Sequence, residues 1–167
     1  MKKGIVILLL LFTATASCQQ KKLNVYVLLA EDCPICNYMG ASLSAAASDH
    51  SKTISFFAVF PLKESSVATT NAFKKRHRME QYKTVLDKKQ MLAKKLGATV
   101  TPEVVITNSS DEILYRGRIN DGYLSPGRRK HEAISNDLDN SIRKAIAGEF
   151  IPQPWKPAIG CYITFYN

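Results

Sequence analysis

Two cysteines separated by two residues, Cys33 and Cys36 in Glu31-Asp32-Cys33-Pro34-Ile35-Cys36, carry the most reactive chemistry in the chain. A dithiol at this spacing supports thiol–disulfide exchange: one sulfur attacks as a thiolate, and the second displaces it from the resulting mixed disulfide. The flanks suit that use. An apolar run of strand length, Leu23 to Ala30, precedes the pair, and an alanine-rich stretch from Asn37 to Ala47 follows it. Cys33 is therefore expected at the start of a helix. There, unpaired backbone N–H groups and the positive end of the helix dipole favour thiolate over thiol. Pro34 suits the first turn, where no N–H is needed, and Cys36 comes round after about one turn of helix. The pattern predicts Cys33 as an exposed attacker and Cys36 as a more buried resolver, with the Asp32 carboxylate opposing the thiolate weakly across solvent. Half of a metal site and an inert bridge are the other uses of such a pair. Zinc would need two more soft ligands, and no second CxxC or closely spaced Cys/His pair is present.

The elements that must hold this pair can be read in order. Thr53–Phe60 is a buried strand stopped by Pro61, Thr69–Arg78 a helix, and Lys83–Asp87 a short edge segment. Asp87 then caps a helix over Lys88–Leu96 that Gly97 ends. Glu103–Thr107 and Ile113–Arg116 form a hairpin across the turn Asn108–Glu112. His131–Ala147 is a last helix, with Ile134, Leu138, Ile142, Ala145 and Ile146 at helical spacing. The tail from Gly148 to Asn167, with Pro152, Pro154, Pro157 and Gly160, is expected to be extended or looped. Strands alternating with helices, then a hairpin and a final helix, define an α/β fold with a central mixed sheet flanked by helices.

The first residues have a separate meaning. Met1-Lys2-Lys3 followed by apolar Gly4–Phe12 has the form of a signal peptide, too short for a membrane span. Thr15-Ala16-Ser17-Cys18 resembles a bacterial lipobox, with Thr in place of the usual Leu. The expected organisation is a signal peptide over residues 1–17, a lipidated anchor at Cys18 with a linker to residue 22, and one domain over residues 23–167. Cleavage before Cys18 leaves 150 residues, enough for a sizeable core. It also places the domain in the bacterial envelope, lipid-anchored and facing the periplasm, where disulfides persist. Of the four cysteines, Cys18 is then taken by lipid. If Cys33 and Cys36 pair, Cys161 is left over as a third thiol, read first as a buried structural cysteine and second as a partner for the pair or a metal.

The net charge is +9, or +7 without Lys2 and Lys3, concentrated in Lys74-Lys75-Arg76-His77-Arg78, the 83–95 lysines, Arg116, Arg118 and Arg128-Arg129-Lys130. Anionic headgroups or an acidic partner would be drawn to it, and a solvated basic face is the plainer use. An exported lipoprotein seldom meets nucleic acid, so no nucleic-acid partner is expected.

Three segments in order carry a family resemblance: Leu96-Gly97-Ala98-Thr99-Val100-Thr101-Pro102-Glu103-Val104, Tyr115-Arg116-Gly117-Arg118-Ile119-Asn120-Asp121 and Gly160-Cys161-Tyr162-Ile163. With the CxxC after the first strand, the chain resembles the thioredoxin fold. More narrowly it resembles the bacterial redoxin-domain proteins of the alkyl hydroperoxide reductase and thiol-specific antioxidant superfamily. The resemblance implies that Pro102 is cis and faces the Cys33–Cys36 pair, and that the Thr101 backbone pairs with an extended substrate segment. It implies exported protein disulfide or dithiol clients and a membrane dithiol electron donor, with no cofactor. Two departures stand out. Proline follows the first cysteine instead of preceding the second, and many redoxin-domain relatives lack the second cysteine. A peroxidase would need Pro and Thr or Ser where this chain has Tyr26 and Ala30. Two other uses stay open: a Sco-type copper-handling module, which would bring His50, His77 or His131 to the cysteines, and a non-catalytic docking subunit using Arg116–Asp121.

Overall fold

The computed structural model describes residues 22–133 and 135–166. The expected signal peptide and Cys18 fall outside the described residues, as does Ile134. Five strands form the main sheet: β1 (Leu23–Leu28), β2 (Ile54–Phe60), β3 (Lys83–Leu86), β5 (Glu103–Thr107) and β6 (Ile113–Gly117). Their order is β3-β2-β1-β5-β6. β1 runs parallel to β2, and β2 to β3, whereas β5 is antiparallel to both β1 and β6. The parallel half comes from the helical crossovers α1 (Pro34–His50) and α2 (Val67–Arg76), and the antiparallel β5–β6 pair from the 108–112 turn. The mixed sheet expected from the sequence is the observed one.

Alternation along β1 sorts its side chains between two cores. Val25, Val27 and Leu29 point to a large cluster with Phe56, Ala58 and Phe60 of β2 and with Met39, Leu43, Ala46 and Ala47 of α1. Phe73 of α2 and Leu138, Ile142 and Ala145 of α4 (Asp137–Ala147) close that face. Leu28 points to the opposite face, where Val59, Val105, Ala93, Leu96 and Ile163 gather. Ala93 and Leu96 belong to α3 (Met91–Leu96), which Gly97 ends in the left-handed conformation (φ 65°) that glycine adopts without a Cβ clash.

Several expectations are adjusted. α3 starts three residues later than expected, because Gln90 turns left-handed (φ 57°) at its start. Asp87 still caps it, its carboxylate accepting from the N–H groups of Leu92 and Ala93 at 3.2 and 2.8 Å. α4 begins at Asp137 instead of His131, because the Asn136 side chain accepts the Asp139 N–H as its cap. The residues before it include a small hairpin, β7 (Tyr123–Ser125) with β8 (Arg128–Arg129), turning at Pro126-Gly127. β4 (Val100–Thr101) pairs with β9 (Cys161–Tyr162), a short strand inside the tail expected to be extended or looped.

Candidate functional site: three cysteines at the start of the first helix

Cys33 is the N-cap residue of α1 and Pro34 its first helical residue, as the spacing predicts. The side chain of Asn37, one turn on, donates to the carbonyls of Glu31 and Cys33 at 3.2 and 3.0 Å. The 31–33 turn is thereby tied to the helix it starts. His77 bonds the Asn37 carboxamide oxygen at 2.9 Å and packs on Phe73, so it braces this turn from the far side of Asn37. His50 is buried and bonds Asp139 at 2.8 Å, joining α1 to α4. Among the described residues no group of three or more His, Cys, Asp or Glu side chains is arranged to hold a metal ion.

The Thr101–Pro102 peptide is cis. The Cys33 sulfur lies 3.3 Å from the Thr101 carbonyl oxygen. The turn holding Thr101 is fixed by Glu103, whose buried carboxylate accepts from the N–H groups of Thr99 (2.8 Å) and Val100 (3.5 Å). Burial pushes the Glu103 carboxyl up, against the pull of those amides.

Two expectations about the sulfurs are overturned. Cys33 was expected exposed, yet it is only 4% accessible, and Cys36 is 0%. Cys161 was expected buried, yet it is the exposed cysteine of the three, and its sulfur stands 3.0 Å from that of Cys33. One arrangement causes both differences. β9 lies along β4 with Cys161 opposite Thr101, so the tail covers Cys33 and brings its own thiol to it. The backbone edge of Thr101, expected to take an extended client, is taken by the chain's own residues 161–162.

The electrostatics of the three differ. The Cys33 thiol is pulled down to about 5, first by the hydrogen bond from the Cys36 side chain and then, against burial, by those from Cys161 and the first-turn amides of Cys36 and Ile35. Burial and the neighbouring Cys33 sulfur push the Cys36 thiol well up. The same two causes raise Cys161 to about 11. As a thiol Cys33 donates to the Thr101 carbonyl; once ionised it accepts from two thiols. The described cysteines are all unbridged, so one low-pKa sulfur faces two candidate disulfide partners.

Sequence reasoning missed Gln90, Asn37 and Glu103 as parts of this site. Arg118 and Asp121 serve the loop beside it: Arg118 bonds Asp137 at 2.8 Å, and Asp121 accepts from the Ser135 N–H and pairs with Lys130. Much of the clustered basic charge is engaged in the same way, with Lys74 reaching the Tyr82 carbonyl and Lys95 reaching Asp111.

No family model and no curated protein matches the chain. Solved structures do. A hypothetical protein of Sinorhizobium meliloti superposes with a TM-score of 0.76 at 18% identity, over 88% of this chain and 81% of that one. An uncharacterised conserved protein of Geobacillus kaustophilus gives 0.71 at 23%, over 88% and 79%. A secreted disulfide oxidoreductase of Mycobacterium tuberculosis, homologous to E. coli DsbE, gives 0.54 at 16%, over 73% and 81%. The chain has a thioredoxin-like fold.

Proposed function

We propose that this protein is a membrane-tethered thiol–disulfide oxidoreductase of the bacterial envelope, with Cys33 as the exchanging sulfur and Cys36 as its resolving partner. The observation that carries this reading is the placement of Cys33. It is the N-cap residue of α1, its sulfur stands 3.3 Å from the Thr101 carbonyl oxygen and 3.0 Å from the Cys161 sulfur, and its thiol is drawn down to about 5, first by Cys36. A structural cysteine in an apolar core is pushed the other way, as Cys36 is. Likeness in fold to a secreted disulfide oxidoreductase supports the same chemistry. The clients are exported proteins bearing a disulfide or a dithiol, and a membrane dithiol carrier completes the cycle. The leader sequence and Cys18 support a lipid anchor, so Cys18→Ala should move the protein from the membrane fraction to the soluble one.

The test is disulfide exchange with a dithiol peptide. Cys33→Ser should lower the rate by about a thousandfold or more, as removal of a nucleophile does. An unchanged rate, or a cellular role kept intact by that variant, would favour a docking subunit instead.

A further inference from the structure

The thiol that solvent reaches at this site is not the one with the low pKa. Cys33 lies beneath the tail, whereas Cys161 is exposed and within 3.0 Å of it. The tail is held on both sides of that contact. Before it, Gly160 lies against the Thr101 carbonyl, where a Cβ would stand 2.3 Å from the oxygen. After it, the Ile163 N–H donates to Thr99 at 2.9 Å and the side chain sinks into the second core. Further on, buried Gln90 donates to the Thr164 carbonyl and accepts the Tyr166 N–H, both at 2.9 Å. A segment fixed this way presents one particular sulfur to Cys33.

We propose that Cys161 is a third redox thiol, the one through which clients exchange with the buried Cys33–Cys36 pair by way of a Cys33–Cys161 disulfide. The proposal rests on the exchange reading above and deepens it. In the oxidised protein the Cys161 sulfur, having lost its proton, attacks Cys33. The Cys33–Cys36 bond breaks, the Cys33–Cys161 bond forms, and Cys36 leaves with the electron pair and takes up a proton. A client thiolate then attacks the exposed Cys161 sulfur, and Cys33 leaves as a thiolate. The client's second thiol attacks the client sulfur held in that mixed disulfide, completing a client disulfide and releasing Cys161 as a thiol. The client loses two electrons and two protons, and the site gains the electrons. Run in reverse, the same steps pass electrons from the pair to a client disulfide.

The chemistry of the three sulfurs favours the second step: low-pKa Cys33 is a good leaving group when a client attacks Cys161, and exchange goes to the sulfur that can be reached. In the first step Cys36, pushed well up, is the poorer leaving group, and the 3.0 Å contact of Cys161 with Cys33 offsets this by holding the nucleophile in place. The charge on reduced Cys33 helps to keep the proton on Cys161. That restraint lifts once Cys33 enters a disulfide, so Cys161 becomes the better nucleophile at the moment the relay requires it.

The experiment uses the full chain, oxidised, freed of oxidant, mixed with glutathione, quenched in acid and mapped by mass spectrometry. Glutathione should appear first on Cys161. Cys161→Ser should slow loss of the Cys33–Cys36 disulfide by about tenfold or more, the least expected of a nucleophile held in contact. A second variant, Cys36→Ser, should oxidise to a Cys33–Cys161 disulfide. Glutathione arriving on Cys33 or Cys36, at a rate unchanged or raised by Cys161→Ser, would overturn the relay and leave the tail as a cover. If the wild type forms no disulfide at Cys33 at all, the exchange reading falls and the relay falls with it. If the Cys33–Cys36 disulfide forms but Cys36→Ser yields only glutathione adducts, the relay alone fails.

Discussion

Gly160 and Thr101 approach so closely that a Cβ on residue 160 would stand 2.3 Å from the Thr101 oxygen and 3.2 Å from the Pro102 nitrogen. Only a residue without a side chain lets the tail lie there. Gly160→Ala should therefore lift the tail from β4, raise the alkylation rate of Cys33 by about tenfold, and lower stability by about 1–3 kcal/mol, as overpacking does. Iodoacetamide kinetics and urea unfolding read the two effects. If neither changes, the contact is not what seats the tail.

Cys33 sets the pH profile. Its pKa is drawn down to about 5, so the thiolate is present above that value and is lost as pH falls through it. Alkylation of Cys33 should be nearly flat from pH 8 to 6 and fall below 5, whereas an ordinary thiol loses about tenfold per pH unit below about 8.5. Cys36→Ala removes the largest cause of the shift and should move the midpoint upward. The same depression adds to the stability of the reduced protein above the unfolded thiol pKa, a contribution lost as pH falls through the folded value.

Gln90 joins the start of α3 to the tail through two bonds, to the Thr164 carbonyl and from the Tyr166 amide, and to the end of β2 through a third, to the Pro61 carbonyl at 3.0 Å. Gln90→Ala leaves those groups without their partner at a buried position. The expected loss is about 1–3 kcal/mol for each group that water cannot reach. Faster hydrogen exchange at Ile163 and Tyr166 should accompany it, and unchanged exchange there would show that the clamp is redundant.

Glu103 holds the turn that faces the dithiol. Glu103→Ala leaves the Thr99 and Val100 amides unpaired and should lower stability by about 1–3 kcal/mol. Glu103→Gln keeps an acceptor oxygen and avoids a buried charge, so its loss should be smaller. Equal losses in urea unfolding would mean that the carboxylate's charge, and not its acceptor role, matters.

The frame of this site was legible because its signals are local. The apolar run from Leu23, the bounds of Glu103–Thr107 and the helix start at Cys33 follow from residue type and short spacing. Asn136 followed by Asp137 and Asp139 was also a readable cap, passed over when the helix was started at His131. What escaped the reading is non-local. β9 has two residues, and its partner lies some sixty positions earlier, so no period or turn announces it. The burial of Cys33 and the exposure of Cys161 both depend on that pairing, against the usual preference of a free cysteine for the interior. Gln90 gave no signal for the same reason: a glutamine becomes a buried clamp only once the tail has come to it.

The exchange reading stands on one measurement above the others. The full chain is equilibrated across dithiothreitol redox buffers, its free thiols are alkylated, and each cysteine is mapped by mass. Cys33 should pass from alkylated to disulfide-bonded at a defined potential, paired with Cys36 and in part with Cys161, and the potential gives the direction in which clients are driven. A Cys33 that stays alkylated at every potential, with Cys36 and Cys161 equally inert, would contradict the account.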